Sequence, residues 1–232
     1  MPIDTSVSEG AETVTYRQYD GVGMAKVISN YADDLPRADV TAKEFTTPVR
    51  GVGISYGYSV QEIRASALAG TQLDARKARN AMKGHEETIN KLAWSGDAAH
   101  GLVGFLNQPN IPAVVILADG SGSSKTFASK TPDQKLRDMF AVVNSIQITT
   151  KGIHKATELW MPIEQFVDVS TTRLNSNNDT TVLEFFLKSK PGIQVKEIVE
   201  LDGAGTGGAD VMIAVENSID NYAIILPMMF RQ

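Results

Sequence analysis

Two helical patterns follow one another between Ser59 and Ser95, separated by a single glycine. Ser59 and Glu62 have the spacing of a capping box, in which each side chain satisfies a free backbone N–H at a helix start. Apolar residues recur at Val60, Ile63, Ala67 and Leu68, the three-and-four spacing of one helix face, expected to be buried. Gly70 interrupts, and Thr71 and Asp74 repeat a weaker start signal. Leu73, Ala78, Ala81, Met82, Ile89 and Leu92 carry a second stripe, and Gly96 stands where a helix stops. As one spine with a single break, about 37 residues would span roughly 55 Å. A globule of this chain length is only about 35–40 Å across. The stretch therefore predicts an elongated subunit that tiles against neighbours.

The segment before the spine reads as an arm. Thr13 to Tyr19 is β-prone, and Val27 and Ile28 extend that pattern. Asn30 to Thr47 is charged, with Asp33, Asp34, Arg37, Lys43 and Glu44, and has few large apolar side chains to bury. Val49 to Tyr58 alternates strictly, with Arg50, Val52, Ile54, Tyr56 and Tyr58 on one side and three glycines, Val49 and Ser55 on the other. That predicts a strand with one bulky and one bare face, which another backbone can approach closely. Residues 12–58 thus read as a two-stranded arm with a charged tip. A lone two-stranded ribbon is marginal in water, so it needs a neighbouring surface. Asp33 and Asp34 are adjacent and point to opposite faces of an extended chain, which favours salt bridges to a neighbour over an acid pair.

The remaining elements are expected in order. Met1 to Gly10 is polar and predicted loose. Gly101 to Leu106 forms a turn, Ala113 to Leu117 a short strand, and Asp119 to Ser124 a Gly/Ser loop. A helix starts at Thr131-Pro132-Asp133-Gln134, with Leu136, Met139, Phe140, Val143 and Ile146 inward. Glu158 to Met161 is a strand, Pro162 to Val167 a short helix, and Thr180 to Lys188 a helix burying Val182, Leu183, Phe185, Phe186 and Leu187. Ile193–Leu201, Val211–Val215 and Tyr222–Met229 read as strands, the last running to the end without a closing turn, as if the chain were cut before its natural end. Trp94 and Trp160 occupy apolar positions and read as core.

No pattern of catalysis stands out. Gly203-Ala-Gly205-Thr-Gly207-Gly208 has dinucleotide-like spacing but leads into a strand, not a helix, so a flexible hairpin tip is the better reading. Gly120 to Thr126 resembles a phosphate loop but lacks glycine before Lys125 and a helix directly after Thr126. His85-Glu86-Glu87 has no second histidine four residues on, so no helical zinc site is expected. No Gly-x-Ser-x-Gly elbow occurs. Cysteine is absent, which excludes thiolate chemistry and fits a reducing compartment. The net charge of −5 argues against a chain whose main task is gripping nucleic acid. No apolar run is long enough to span a membrane, and no secretory signal is visible. No catalytic, cofactor or metal residue is assigned.

Four segments carry a resemblance: Ser29-Asn30-Tyr31-Ala32-Asp33-Asp34-Leu35-Pro36, Tyr56-Gly57-Tyr58-Ser59-Val60-Gln61-Glu62-Ile63, Leu73-Asp74-Ala75-Arg76-Lys77, and Gly101 to Asn107. With the order of parts, they resemble the major capsid proteins of tailed phages, of the fold first described in phage Hong Kong ninety-seven and shared by encapsulin shells. The resemblance implies an α+β chain with residues 12–58 as the extended arm, or E-loop. It implies a peripheral domain from 59–112 and 217–232, and an axial domain over 113–216. The tip Gly203, Gly205, Gly208 would point at a five- or six-fold axis. Asp33, Asp34, Arg37, Lys43 and Glu44 would contact neighbouring subunits. The resemblance makes Lys43 a candidate counterpart of the type phage's cross-linking lysine, but no motif fixes an asparagine partner, and an ordinary surface lysine is favoured. Function follows as a shell subunit that assembles in the bacterial cytoplasm with copies of itself, with portal and scaffolding proteins as partners, and encloses DNA in the virion. The alternatives are an encapsulin-type shell around a cargo enzyme, separable by the neighbouring genes, and a nucleotide-dependent enzyme using Lys125, which nucleotide binding would reveal.

Overall fold

Where side chains could cap free N–H groups, helices begin as the sequence predicts. The computed structural model describes residues 1–23, 25, 27, 37–109, 111–175 and 177–228. Its elements are β1 (Ile3–Asp4), β2 (Thr13–Val22), β3 (Asp39–Pro48), α1 (Val60–Ala69), α2 (Leu73–Ser95), β4 (Gly96–Asp97), β5 (Leu102–Val103) and α3 (Pro132–Thr149). Then come β6 (Glu158–Met161), α4 (Ile163–Thr171), β7 (Arg173–Asn175), β8 (Asn178–Thr181), α5 (Val182–Ser189), β9 (Gln194–Glu197), β10 (Ile213–Val215) and β11 (Ile224–Ile225). They divide into one unit of Met1–Asp4 with Phe105–Ile225 and another of Thr5–Gly104 with Leu226–Gln232.

In the second unit, β2 and β3 form an antiparallel ribbon of ten register pairs, from Thr13 opposite Pro48 to Val22 opposite Asp39. The partner strand is therefore Asp39–Pro48, not the predicted Val49–Tyr58. Val40, Thr41, Thr46 and Thr47 supply the β-branched positions. Cross-strand pairs hold the register: Thr15 and Thr46 hydroxyls at 3.0 Å, Tyr16 stacked on Phe45 at 5.2 Å, and Arg17 on Glu44 at 2.7 Å. Residues 49–58 make no strand because Gly51, Gly53 and Gly57 lose too much backbone freedom and offer nothing to pack. Their polar groups bond elsewhere. Arg50 donates to the His100 carbonyl at 3.3 Å, and the Gly57 carbonyl accepts from Lys77 at 2.6 Å.

The predicted spine is a corner rather than a rod. Both bonds of the Ser59–Glu62 capping box form. Gly70 adopts φ +63°, and the Thr71 N–H reaches back to the Ser66 carbonyl at 3.1 Å, the six-to-one bond of a Schellman stop. The chain then turns back. Lys77 Nζ lies 2.8 Å from the Glu62 carboxylate, and the Tyr58 hydroxyl donates to Asp74. On a straight helix Glu62 and Lys77 would stand about 22 Å apart. The 55 Å span is thus excluded, and α2 alone accounts for about 35 Å. The Thr71–Asp74 start signal is used in part: α2 begins at Leu73 with Asp74 in its first turn, but Gln72 precedes it without a side-chain cap, and the Asp74 carboxylate accepts from Tyr58. Gly96 stops α2 as expected, with φ +67°.

In the other unit, β6 lies between β10, antiparallel to it, and β9, parallel to it. All four residues of β6 are buried. Leu159 and Met161 join Leu136, Met139 and Val143 of α3, Val169 of α4, and Val182 and Phe186 of α5. Trp160, on the opposite side of the strand, packs with Phe105 and Tyr222 at 5.5 and 6.0 Å between ring centres. Capping boxes start α3 at Thr131 and α5 at Thr181.

Met1–Gly10 is not wholly loose, because Ile3–Asp4 pairs in parallel with Ile224–Ile225, all that forms a strand in the described part of Tyr222–Met229. Ala113–Leu117, predicted as a short strand, forms none among the described residues, although Val114 and Ile116 pack against the core while Val115 and Leu117 are exposed. Phe185 and Leu187 lie on the outer face of α5, because only its Val182–Phe186 side meets α3 and β6. Ile193–Leu201 contracts to Gln194–Glu197 followed by a short turn, and Val211–Val215 to Ile213–Val215.

Candidate functional site

Five residues of the arm are expected to meet neighbours. Asp33 and Asp34, like Ile28, lie outside the described residues. Arg37 is exposed. Lys43 rises from β3 with its ammonium 5.0 Å from the Phe45 ring centre, and Glu44 already pairs with Arg17 across the ribbon. Both partners of that pair are more than half exposed, so it adds little to stability. Most described side chains of the ribbon are exposed.

The helical corner shows what sequence reasoning missed. The inner side of α1 is its polar side: Glu62 bonds Lys77, and the Ser66 hydroxyl donates to the Thr71 carbonyl at 2.5 Å. Its apolar stripe faces outward, with Leu68 92% exposed, Val60 64% and Ile63 53%. The expected buried face is inverted. The periodicity was legible, but periodicity does not say which way a stripe points. Lys77 also lies 4.9 Å from the Tyr58 ring centre, and the hydrogen bond to Asp74 pushes the Tyr58 hydroxyl up to about 12.

The glycine tip is a tight turn between the short turn Val199–Leu201 and β10. Because β9 and β10 flank β6 on opposite sides, it is not the hairpin of adjacent strands that was predicted. Gly203, Gly207 and Gly208 have φ of +61°, +74° and +77°. Gly205 is needed for space, since a Cβ would come 2.8 Å from the Ala209 carbonyl oxygen. Asp210 organises the loop, accepting from the Gly203 N–H at 3.0 Å and from Gln165 Nε2 at 2.6 Å. The adjacent Asp202 carboxyl is raised above its usual range by its hydrogen bond and charge repulsion with Asp210. This is no nucleotide cradle, since a strand and not a helix follows.

Lys125 is exposed, in a loop of short turns between Ser121 and Ser129, and α3 begins only at Pro132. No phosphate loop is formed. The nearby Lys130 does structural work instead. Its buried ammonium bonds Asp138 and the Leu117 carbonyl, the latter at 2.9 Å, and lies 3.4 Å from Asp119. Arg137 closes the cluster, 2.6 Å from Asp119 and 3.0 Å from Asp138. The Arg137 guanidinium holds the Asp119 carboxyl below its usual range. Among the described residues, no cluster of three or more His, Cys, Asp or Glu could hold a metal ion.

Glu158 is a second buried acid, on the Trp160 side of β6. Burial alone would raise its pKa, but bonds from Lys196, Trp160 Nε1 and Asn217, each at 2.7 Å, outweigh burial and lower it. Burial, helped by the Glu158 charge, pushes Tyr222 up to about 12. A carboxyl with a depressed native pKa stabilises the fold above its unfolded value, and that contribution is lost as pH falls through the native pKa. Between about pH 5 and pH 3, urea midpoints of the Glu158→Gln variant should therefore fall less than those of the wild type. Parallel curves would refute this role.

A solved structure described as the capsid of Myoviridae phage XM1 is similar to this chain, with a TM-score of 0.72 and 16% identity over 91% of this chain and 71% of that one. At that identity the likeness concerns the fold, which is of the phage-capsid class with mixed helices and strands. A model of the major capsid protein family matches residues 23–232. The chain belongs to the major capsid protein family. It is a structural capsid subunit of the virion shell, and family and fold point to a structural rather than an enzymatic role. A comparison with curated proteins found no match. Among the described residues, no helix is long and apolar enough to cross a membrane.

Proposed function

We propose that this capsid subunit has the Hong Kong ninety-seven type layout and closes an icosahedral shell from pentamers and hexamers. Residues 12–58 act as the E-loop, 59–112 and 217–232 as the peripheral domain, and 113–216 as the axial domain, with Gly203, Gly205 and Gly208 at the symmetry axis. The observation that carries the reading is the ribbon. Ten register pairs with most described side chains exposed make a structure that is marginal by itself and gains stability on a neighbouring subunit. Asp33, Asp34, Arg37, Lys43 and Glu44 supply charges at that contact. Many modest contacts, each repeated by symmetry, close the shell. Assembly takes place in the bacterial cytoplasm, with portal and scaffolding proteins as further partners, around DNA held without sequence-specific contacts.

Replacing residues 13–48 by a short flexible linker should abolish particle formation, seen by electron microscopy and sedimentation, while the thermal transition of the Phe105–Ile225 unit persists. Particles of normal yield from the shortened chain would refute the arm's role.

A further inference from the structure

An amphipathic helix normally turns its apolar side inward. Here α1 does the reverse, with Glu62 and Ser66 engaged by its own chain while Val60, Ile63 and Leu68 face outward. Apolar side chains exposed at helical spacing on one side of a helix make a candidate interaction surface. Arg64 lies beside the stripe, and among the described residues no partner carboxylate pairs with it.

Charge indicates what covers the stripe. Residues 59–95 carry six Lys/Arg against four Asp/Glu, a net +2. Residues 105–225 carry ten against fourteen, a net −4. A subunit family whose members assemble with their own copies thus offers, on each copy, a basic helical corner with an apolar stripe and an acidic unit. The acidic unit has exposed apolar side chains of its own, among them Val115 at 80% and Leu117, on the unpaired stretch before Asp119.

We infer that the outward stripe of α1, flanked by Arg64, docks on the acidic 105–225 unit of a neighbouring copy of this chain. The inference rests on the self-assembly reading and adds to it a second contact, separate from the ribbon. Opposite charge steers the approach and sets its orientation, and burial of the stripe supplies the affinity.

The test uses the full chain. Because the stripe lies on the surface, Ile63→Ser with Leu68→Ser should leave the melting temperature within a few degrees of wild type. Losing two buried side chains should weaken each contact about ten- to a hundredfold and cut particle yield, measured by sedimentation and electron microscopy. Arg64→Glu should also lower the yield, with less salt dependence than wild type. A benzophenone side chain at Ala67, activated in assembled particles, should cross-link to residues 105–225 of another copy, identified by mass spectrometry. Unchanged yield in the double variant overturns the inference. So do cross-links to residues 5–104 of another copy, cross-links to a different protein, or a collapse of the melting temperature, which would show the stripe covered within its own chain. Wild-type protein that never assembles would overturn the shell reading itself, whereas wild-type assembly unaffected by the serines overturns only this contact.

Discussion

Lys130→Met should destabilise the Phe105–Ile225 unit by about 3 kcal/mol, near the low end of what breaking a buried ion pair costs. The Lys130 side chain is fully buried and Asp138 almost so. Without the ammonium, the Leu117 carbonyl loses its donor and Asp138 keeps only Arg137 beside it. The retained Arg137 contact is why the loss sits at the low end. A methionine fills the space but cannot compensate a buried carboxylate. Lys130→Met with Asp138→Leu should recover most of the stability, because a paired replacement leaves no uncompensated charge. Urea titration would measure both. A single variant within about 1 kcal/mol of wild type would show that solvent reaches Asp138 and that the cluster is not a lock.

Gly104→Ala should cost as much or more, about 3 kcal/mol at the upper end of overpacking, in the Thr5–Gly104 unit. A Cβ there would overlap three backbone atoms: the Gly96 nitrogen, the Ser95 carbonyl carbon and the Trp94 carbonyl oxygen. Backbone cannot swing aside as a side chain does, so the β4–β5 turn or the end of α2 must shift. Gly101→Ala is the control. Its φ is positive, at +72°, but its Cβ would meet only the Pro48 ring at 3.6 Å, so the cost should be about 1 kcal/mol of backbone strain. Thermal unfolding and proteolysis near Ser95 would read the difference. Equal melting temperatures for the two variants would show that crowding around Gly104 does not matter.

Much of the local structure was legible because its causes are local. Each capping box, at Ser59, Thr131 and Thr181, involves residues three apart and an N–H between them. The β6 run Glu158–Met161 and the inward residues of α3 follow from hydrophobic spacing. What failed were choices between competing partners. Val49–Tyr58 has better alternation than Asp39–Pro48, yet the second pairs with β2, since its β-branched residues pack across the ribbon while three glycines weaken the first. Asp74 was read as a helix-start acid, and it stands in the first turn of α2, but nothing local announced that it also binds Tyr58 across the corner. The Lys130 cluster gave no sequence signal beyond a lysine before a cap and an aspartate two turns on.

By itself, the sequence determined the helix starts at Ser59 and Thr131, that Gly70 and Gly96 stop helices, the inward stripe of α3 and the buried strand β6, and the resemblance to the capsid family that the family model bears out. Those outcomes depend on interactions within a few residues and on the period of apolar side chains. Only the tertiary structure decided that the spine folds back at Gly70, that α1 turns its oily side to solvent, and which strand closes the ribbon. These depend on which of several chemically similar surfaces meet in space: Lys77 reaching Glu62 across the turn, and Arg17 finding Glu44 rather than a partner beyond Pro48.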